Sequence, residues 1–172
     1  MHHSMQIRTH STVNDLWKFY SDSDHATNSD INNKRRSQNS LIVTYNGAPV
    51  HYFSKVTGIA FANSTIGEAH CEYSSAGSEV YAAGNCASEI LHLSYVADEM
   101  GMPFPVPAIL QVDNAAAKSF ADDSCAQSRL KHIDLRLQWT SLLRDKGLLV
   151  IQHVPTSSNL ADIGTKILPL TT

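Results

Sequence analysis

The chain has little cysteine, no long apolar run and no excess of positive charge. Cys71, Cys86 and Cys125 are an odd number without CxxC spacing, which argues against a disulfide framework and against a structural zinc site. No apolar run approaches the roughly 18 residues needed to span a membrane. Met1–Thr12 is polar and His-bearing and lacks a secretory-leader pattern. A reducing, intracellular setting is therefore expected. The formal charge of −3 and pI near 6.3 do not advertise a nucleic-acid binder. A global charge says little about local patches, however, and a cluster of catalytic acids would itself lower it.

What is present is enough for one domain. The 172 residues are 42% hydrophobic and 17% charged, which favours a packed core over disorder. Leu16–Ser21 reads as a strand ending at Asp22, and Asp22–Gln38 as a loop or ragged strand edge. Leu41–Tyr45 and Pro49–Phe53 flank Asn46-Gly47, a dipeptide suited to the positive φ angles of a tight hairpin turn. A further strand is expected around Gly58–Ala62. Beyond a Ser74 or Ser75 N-cap, Val80, Ala83, Ala87, Ile90, Leu91 and Val96 recur at helical spacing as far as Gly101, giving a long helix over 76–100. Pro103, Pro105 and Pro107 lead into a strand over 108–112, and Asp113-Asn114 opens a helix. A second helix is expected over 131–146, a strand over 148–154 and a terminal helix over 158–167. An antiparallel start followed by helical crossovers belongs to the α/β layer architectures.

Four acids stand in settings that suit a metal site: Asp22, Glu79, Asp113 and Asp162. Taken singly, an Asp after a strand is most often a turn former or cap, and a Glu early in a helix favours the helix dipole. Jointly they permit more. If the strands ending at Asp22 and Asp113 are parallel neighbours, their carboxylates lie roughly 5 Å apart. Glu79 and Asp162 can lean over the same edge from helix starts. Such like charges in one place call for a divalent cation, and two Mg²⁺ ions about 3.5–4 Å apart are the usual agents of phosphoryl transfer.

Several blocks of the chain resemble the ribonuclease H domain of copia-type LTR retrotransposon polyproteins. Ser74-Ser75-Ala-Gly-Ser-Glu79-Val-Tyr-Ala82 is similar to SSTEAEYxA, and Val112-Asp113-Asn114-Ala-Ala-Ala117 to DNxxA. Arg129-Leu-Lys131-His132-Ile133-Asp134-Leu-Arg136 is similar to RTKHIDIR, and Val154–Leu168 to VPTxxQxADxxTKxL. Tyr20-Ser21-Asp22-Ser23-Asp24-His25-Ala26 resembles YSDADWA more weakly. The chain departs from the pattern in having Gly77-Ser78-Glu79-Val80 where Glu-Ala-Glu-Tyr is usual, and His25 in place of tryptophan. Glu68–Tyr73 offers a competing acidic block upstream, Val56–Tyr73 looks like an insertion, and Asp24 competes with Asp22.

The resemblance implies a ribonuclease H-like α/β domain over 15–168, between a polar lead-in (1–14) and a short tail (169–172), with a five-stranded mixed sheet in the order 3-2-1-4-5. It implies hydrolysis of the RNA strand of RNA–DNA hybrids with two Mg²⁺ ions, for which Mn²⁺ substitutes. The family's metal-holding acids fall on Asp22, Glu79, Asp113 and Asp162. The alternative is an inactive or DNA-directed module of the same fold that binds nucleic acid or supports a polymerase. Substrate contacts are expected from Arg35 and Arg36 beside Lys34, from Lys131 and His132, and from Ser37 and Asn114 next to the acids, through phosphates or 2′-hydroxyls. The expected partners are a hybrid duplex and the polymerase domain of the same polyprotein, with no membrane, and the expected setting is a cytoplasmic virus-like particle. His51, His92 and His153 read as ordinary surface or core histidines, and Trp17 and Trp139 as core residues.

Overall fold

The computed structural model describes residues 13–29, 35–56, 75–115 and 135–166, with side chains over 13–24, 37–56, 78–115 and 139–166. A single helical turn, α1 (Val13–Leu16), precedes strands β1 (Trp17–Ser29), β2 (Arg35–Tyr45) and β3 (Ala48–Val56). Helix α2 (Ser75–Glu99), strand β4 (Ala108–Val112), helix α3 (Leu135–Asp145) and strand β5 (Leu149–His153) follow. The described chain closes with a 3-10 turn, Thr156–Ser158, and a 3-10 helix, Leu160–Gly164. The five strands form one sheet in the order β3-β2-β1-β4-β5, as expected.

The hairpin between β2 and β3 turns where the sequence asks for it. Asn46 and Gly47 both have positive φ, 51° and 81°, the conformation that matches the twist of the flanking strands. β1 differs from expectation. It does not end at Asp22 but continues to Ser29, antiparallel to β2, with a register shift between Asp24 and Asn28. Asp22 pairs with Ser40 inside this ladder. The polar run after Asp22 has weak strand propensity of its own, and backbone pairing with β2 supplies what the side chains lack.

Alternation along the strands sends Trp17, Phe19, Leu41, Val43, Leu110, Val112, Leu149 and Ile151 into the core. Against that face lies α2, whose Ala83, Cys86 and Ala87 are buried and small enough for close approach. Trp17 and Trp139 join the core as expected, Trp17 stacking on Phe19 and donating from Nε1 to the Pro103 carbonyl at 2.9 Å.

Both long helices end on glycine. Gly101 (φ 66°) and Gly147 (φ 67°) donate to the carbonyls of Asp98 and Arg144, while Met102 and Leu148 reach back to Ala97 and Leu143. This paired closure needs a left-handed residue at C′.

The terminal segment is not the α-helix expected over 158–167. Its described part is the 3-10 helix, entered through Asn159, whose side chain accepts the Ala161 N–H. Among the described residues no helix is long and apolar enough to cross a membrane, and Cys86 is a free, buried thiol. The expected strand at 58–62, the upstream Glu68 and Glu72, Cys71 and Cys125, the helix opened by Asp113-Asn114 beyond Ala115, and the first residues of the 131–146 helix lie outside the described residues.

Candidate active site

The site forms where β1 and β4 run parallel. Phe19 pairs with Leu110 and Tyr20 with Gln111. Two residues further on, the same register sets Asp22 beside Asp113 at the end of β4. Glu79 arrives from the second turn of α2. One carboxylate oxygen from each of Asp22, Glu79 and Asp113 lies within 4.8 Å of the others. Thus three of the four acids singled out in the sequence converge, although they come from two strands and a helix. Asp24 is not part of the group, and Glu79 takes the helix position.

Asp162 borders this cluster rather than entering it. It sits on the 3-10 helix, and its Oδ2 accepts from Lys166 Nζ at 2.6 Å, one helical step away. That contact, together with the nearby Asp22 and Asp113 charges, raises the Lys166 pKa. Thr165 ties the two regions together: its hydroxyl donates to Asp22 Oδ2 and lies 3.1 Å from the Asp162 carbonyl.

The electrostatics are those of an acid cluster without enough compensating donors. Burial and the charges of Asp22 and Asp113 push the Glu79 carboxyl from its ordinary 4.5 to about 9. Burial also raises Asp22, opposed by the Thr165 hydrogen bond and aided by Asp113 and Asp162. Glu79 Oε2 is buried with no hydrogen-bond partner, a costly condition for a carboxylate oxygen. The donor set is all carboxylate oxygen, which fits a hard divalent cation. The Cys86 thiol, fully buried and pushed up to about 12 by that burial, is no competing ligand.

The other sequence candidates fare unevenly. Asn114 follows the cluster directly and is partly buried. Ser37 is buried. Arg35 and Arg36 open β2, with side chains outside the described set, and Lys34, Lys131 and His132 lie outside the described residues altogether. His153 is closer to the site than its sequence setting suggests, its Nε2 lying 3.1 Å from the Asp113 carbonyl. His51 and Lys55 face Glu89 from the edge strand at 3.5 and 3.8 Å. His92 is exposed.

Thr165 and Asn159 both stand in the Val154–Leu168 block, where nothing local marks them as site residues. Their contacts with β1 span more than a hundred residues, so no local pattern could have disclosed them.

Sheet order and helix placement define a ribonuclease H-like fold. The solution structure of the PFV RNase H domain superposes with a TM-score of 0.54 at 14% identity, covering 87% of this chain and 92% of that one. LC11-RNase H1, isolated from compost by a metagenomic approach, gives 0.51 at 15% identity, over 86% and 91%. At that identity these likenesses speak to the fold.

Relatives in sequence are more specific, and they bear out the resemblance to copia-type polyproteins: the chain is homologous to one segment of the retrovirus-related Pol polyproteins of plant transposons. It is 27% identical over 154 residues to that of transposon TNT 1-94 from Nicotiana tabacum, covering 90% of the chain and 10% of the relative. It is 30% identical over 147 residues to that of transposon RE2 from Arabidopsis thaliana, covering 86% and 9%. The chain thus spans about a tenth of the length of the curated relatives it matches. No family model matches it.

Proposed function

We propose that this chain is the ribonuclease H domain of a retrotransposon polyprotein, hydrolysing the RNA strand of RNA–DNA hybrids. The observation that carries the proposal is the convergence of Asp22, Glu79 and Asp113 within 4.8 Å on a ribonuclease H-like sheet, with one Glu79 oxygen buried and unpartnered. These three acids would hold one Mg²⁺, and Asp162 with Asp22 would complete a two-ion site, with Mn²⁺ as a substitute. When bound, such ions lower the pKa of water and offset the charge on the attacking and leaving oxygens.

The chain's own residues set the geometry. Asp22 within β1 and Asp113 just past the end of the parallel neighbour β4 fix the spacing of two ligands through the backbone register. Glu79, anchored on a long helix packed into the core, supplies a third from above. Asn114, Arg35, Arg36, Lys131 and His132 would hold the duplex through its phosphates and 2′-hydroxyls, the latter distinguishing RNA from DNA. Water attacks phosphorus as the P–O3′ bond breaks, so the products are a 5′-phosphate and a 3′-hydroxyl. A polymerase domain of the same polyprotein is the proposed partner, adding duplex affinity to that of a chain whose net charge is −3.

Labelled RNA–DNA hybrid, double-stranded DNA and double-stranded RNA, offered side by side with Mg²⁺, test the reading. Cleavage of the RNA strand of the hybrid alone is expected, and Asp113→Asn should lower that rate by about a thousandfold or more. Unchanged cleavage by Asp113→Asn rejects the assignment, and cleavage of DNA would move the protein to a different nuclease class.

A further inference from the structure

The 3-10 helix that carries Asp162 is pinned to the sheet at both of its ends. At the entry, Asn159 is buried, accepts the Ala161 N–H through Oδ1 and donates from Nδ2 to the Ser21 carbonyl at 2.9 Å. At the exit, the Gly164 carbonyl accepts from Ser54 Oγ at 2.5 Å, and the Thr165 hydroxyl donates to Asp22 Oδ2. The Asn159 Nδ2 bond and the Thr165 hydroxyl bond land on consecutive residues of β1, Ser21 and Asp22. The backbone closes the same corner, since Thr165 N–H donates to the Asp162 carbonyl at 3.4 Å.

Thr165 differs from the other pins because its acceptor is one of the clustered carboxylates. Its hydroxyl has one proton and two acceptors within reach, Asp22 Oδ2 and the Asp162 carbonyl. The charged one forms the stronger bond. Asp22 has like charges on several sides, and a carboxylate free to rotate would turn away from them. A β-branched residue with a stiff χ1, itself buried to 8% exposure, is well suited to prevent that rotation.

We infer that Thr165 is a positioning residue: its hydroxyl holds the Asp22 carboxylate in the orientation that, with Glu79 and Asp113, receives a divalent cation, and it couples that acid to the segment bearing Asp162. The inference rests on the metal-binding reading above and adds to it a residue that touches neither ion nor substrate. Partners that orient a metal ligand in this way are worth about 10- to 100-fold in metal affinity.

Mn²⁺ titrations of the full chain, followed calorimetrically and by the loss of the free-ion electron paramagnetic resonance signal, provide the test. Thr165→Val keeps shape and removes the hydroxyl, and should bind Mn²⁺ about tenfold more weakly. Thr165→Ser keeps the hydroxyl and should stay within about twofold of the unaltered protein. A hydroxyl that serves only the fold would lower the metal-free melting temperature of Thr165→Val and leave the Mn²⁺ affinity of the folded protein unchanged. That result overturns the inference, as does equal weakening in the serine and valine variants. Thr165→Ala replaces valine with the same expectation should the latter not fold. Asp113→Asn separates the two levels. If the unaltered chain binds no Mn²⁺, the metal reading falls and this inference with it. If it binds, and Asp113→Asn abolishes binding while Thr165→Val does not weaken it, only the role of Thr165 is lost.

Discussion

Glu79 holds a carboxylate where water cannot compensate it. With its pKa raised from 4.5 to about 9, it takes up a proton on folding throughout that interval. The sign follows: a group whose folded pKa is raised contributes its stability below the unfolded value and loses it as pH climbs through the folded one. Metal-free protein should therefore become less stable between pH 4.5 and 9, with Asp22 adding in the same direction. Glu79→Gln, which stays neutral, should flatten that slope and raise the metal-free melting temperature at pH 8 by about 4–8 °C, on the order of 2 kcal/mol. Thermal denaturation in EDTA across that range checks it, and an unchanged slope would show that Glu79 is not the group responsible. Asp113 and Glu79 were legible as candidates from their places just past a strand end and near a helix start, whereas Asp22 lies inside β1 rather than at its end. The pairing of Asp162 with Lys166 was half legible, because four residues separate them. The link from Thr165 to Asp22 was not, because nothing local tells a hydroxyl which carboxylate it will meet across 143 residues.

Elements defined by local chemistry matched their sequence signals. The Asn46-Gly47 turn, the Gly101 and Gly147 helix ends and β4 fall where backbone preferences place them, since each depends on neighbours a few residues away. β1 and the closing 3-10 helix did not, because both are shaped by contact with β2. Gly164 shows this most sharply. A Cβ there would lie 2.1 Å from Ser40 Oγ and 2.8 Å from Ser40 Cβ, and Ser40 is wholly enclosed. The hydroxyl can rotate away, but the Cβ cannot, so the segment itself must lift. Gly164→Ala should accordingly cost about 1–3 kcal/mol and weaken Mn²⁺ binding by displacing Thr165 and Asp162. Denaturant melts with a parallel Mn²⁺ titration would show both effects, and a variant as stable as the parent would mean that the close approach is dispensable.

At the scale of the molecule, the sheet order is what turns scattered acids into a site. Parallel pairing of β1 with β4 brings Asp22 to Asp113, and packing of α2 on the sheet delivers Glu79. A cation bound to the folded cluster and not to the unfolded chain stabilises the protein by about 2.7 kcal/mol at a free concentration one hundred times its Kd. For a domain of this size that corresponds to about 5–11 °C in melting temperature. Asp113→Asn should abolish this gain while leaving the metal-free melting temperature no lower than the parent's, and differential scanning calorimetry with Mg²⁺ and with EDTA distinguishes the two. The sequence by itself determined the strand and helix signals, the turn and cap residues, and which acids were available, because those rest on local conformational preference and on motif blocks. Only the tertiary structure decided that Asp22, Glu79 and Asp113 meet while Asp162 stands beside them on Lys166, that Ser37 is enclosed, and that Thr165 reaches Asp22. Such contacts depend on strand register and on packing between segments far apart in the chain, which no stretch of sequence encodes alone.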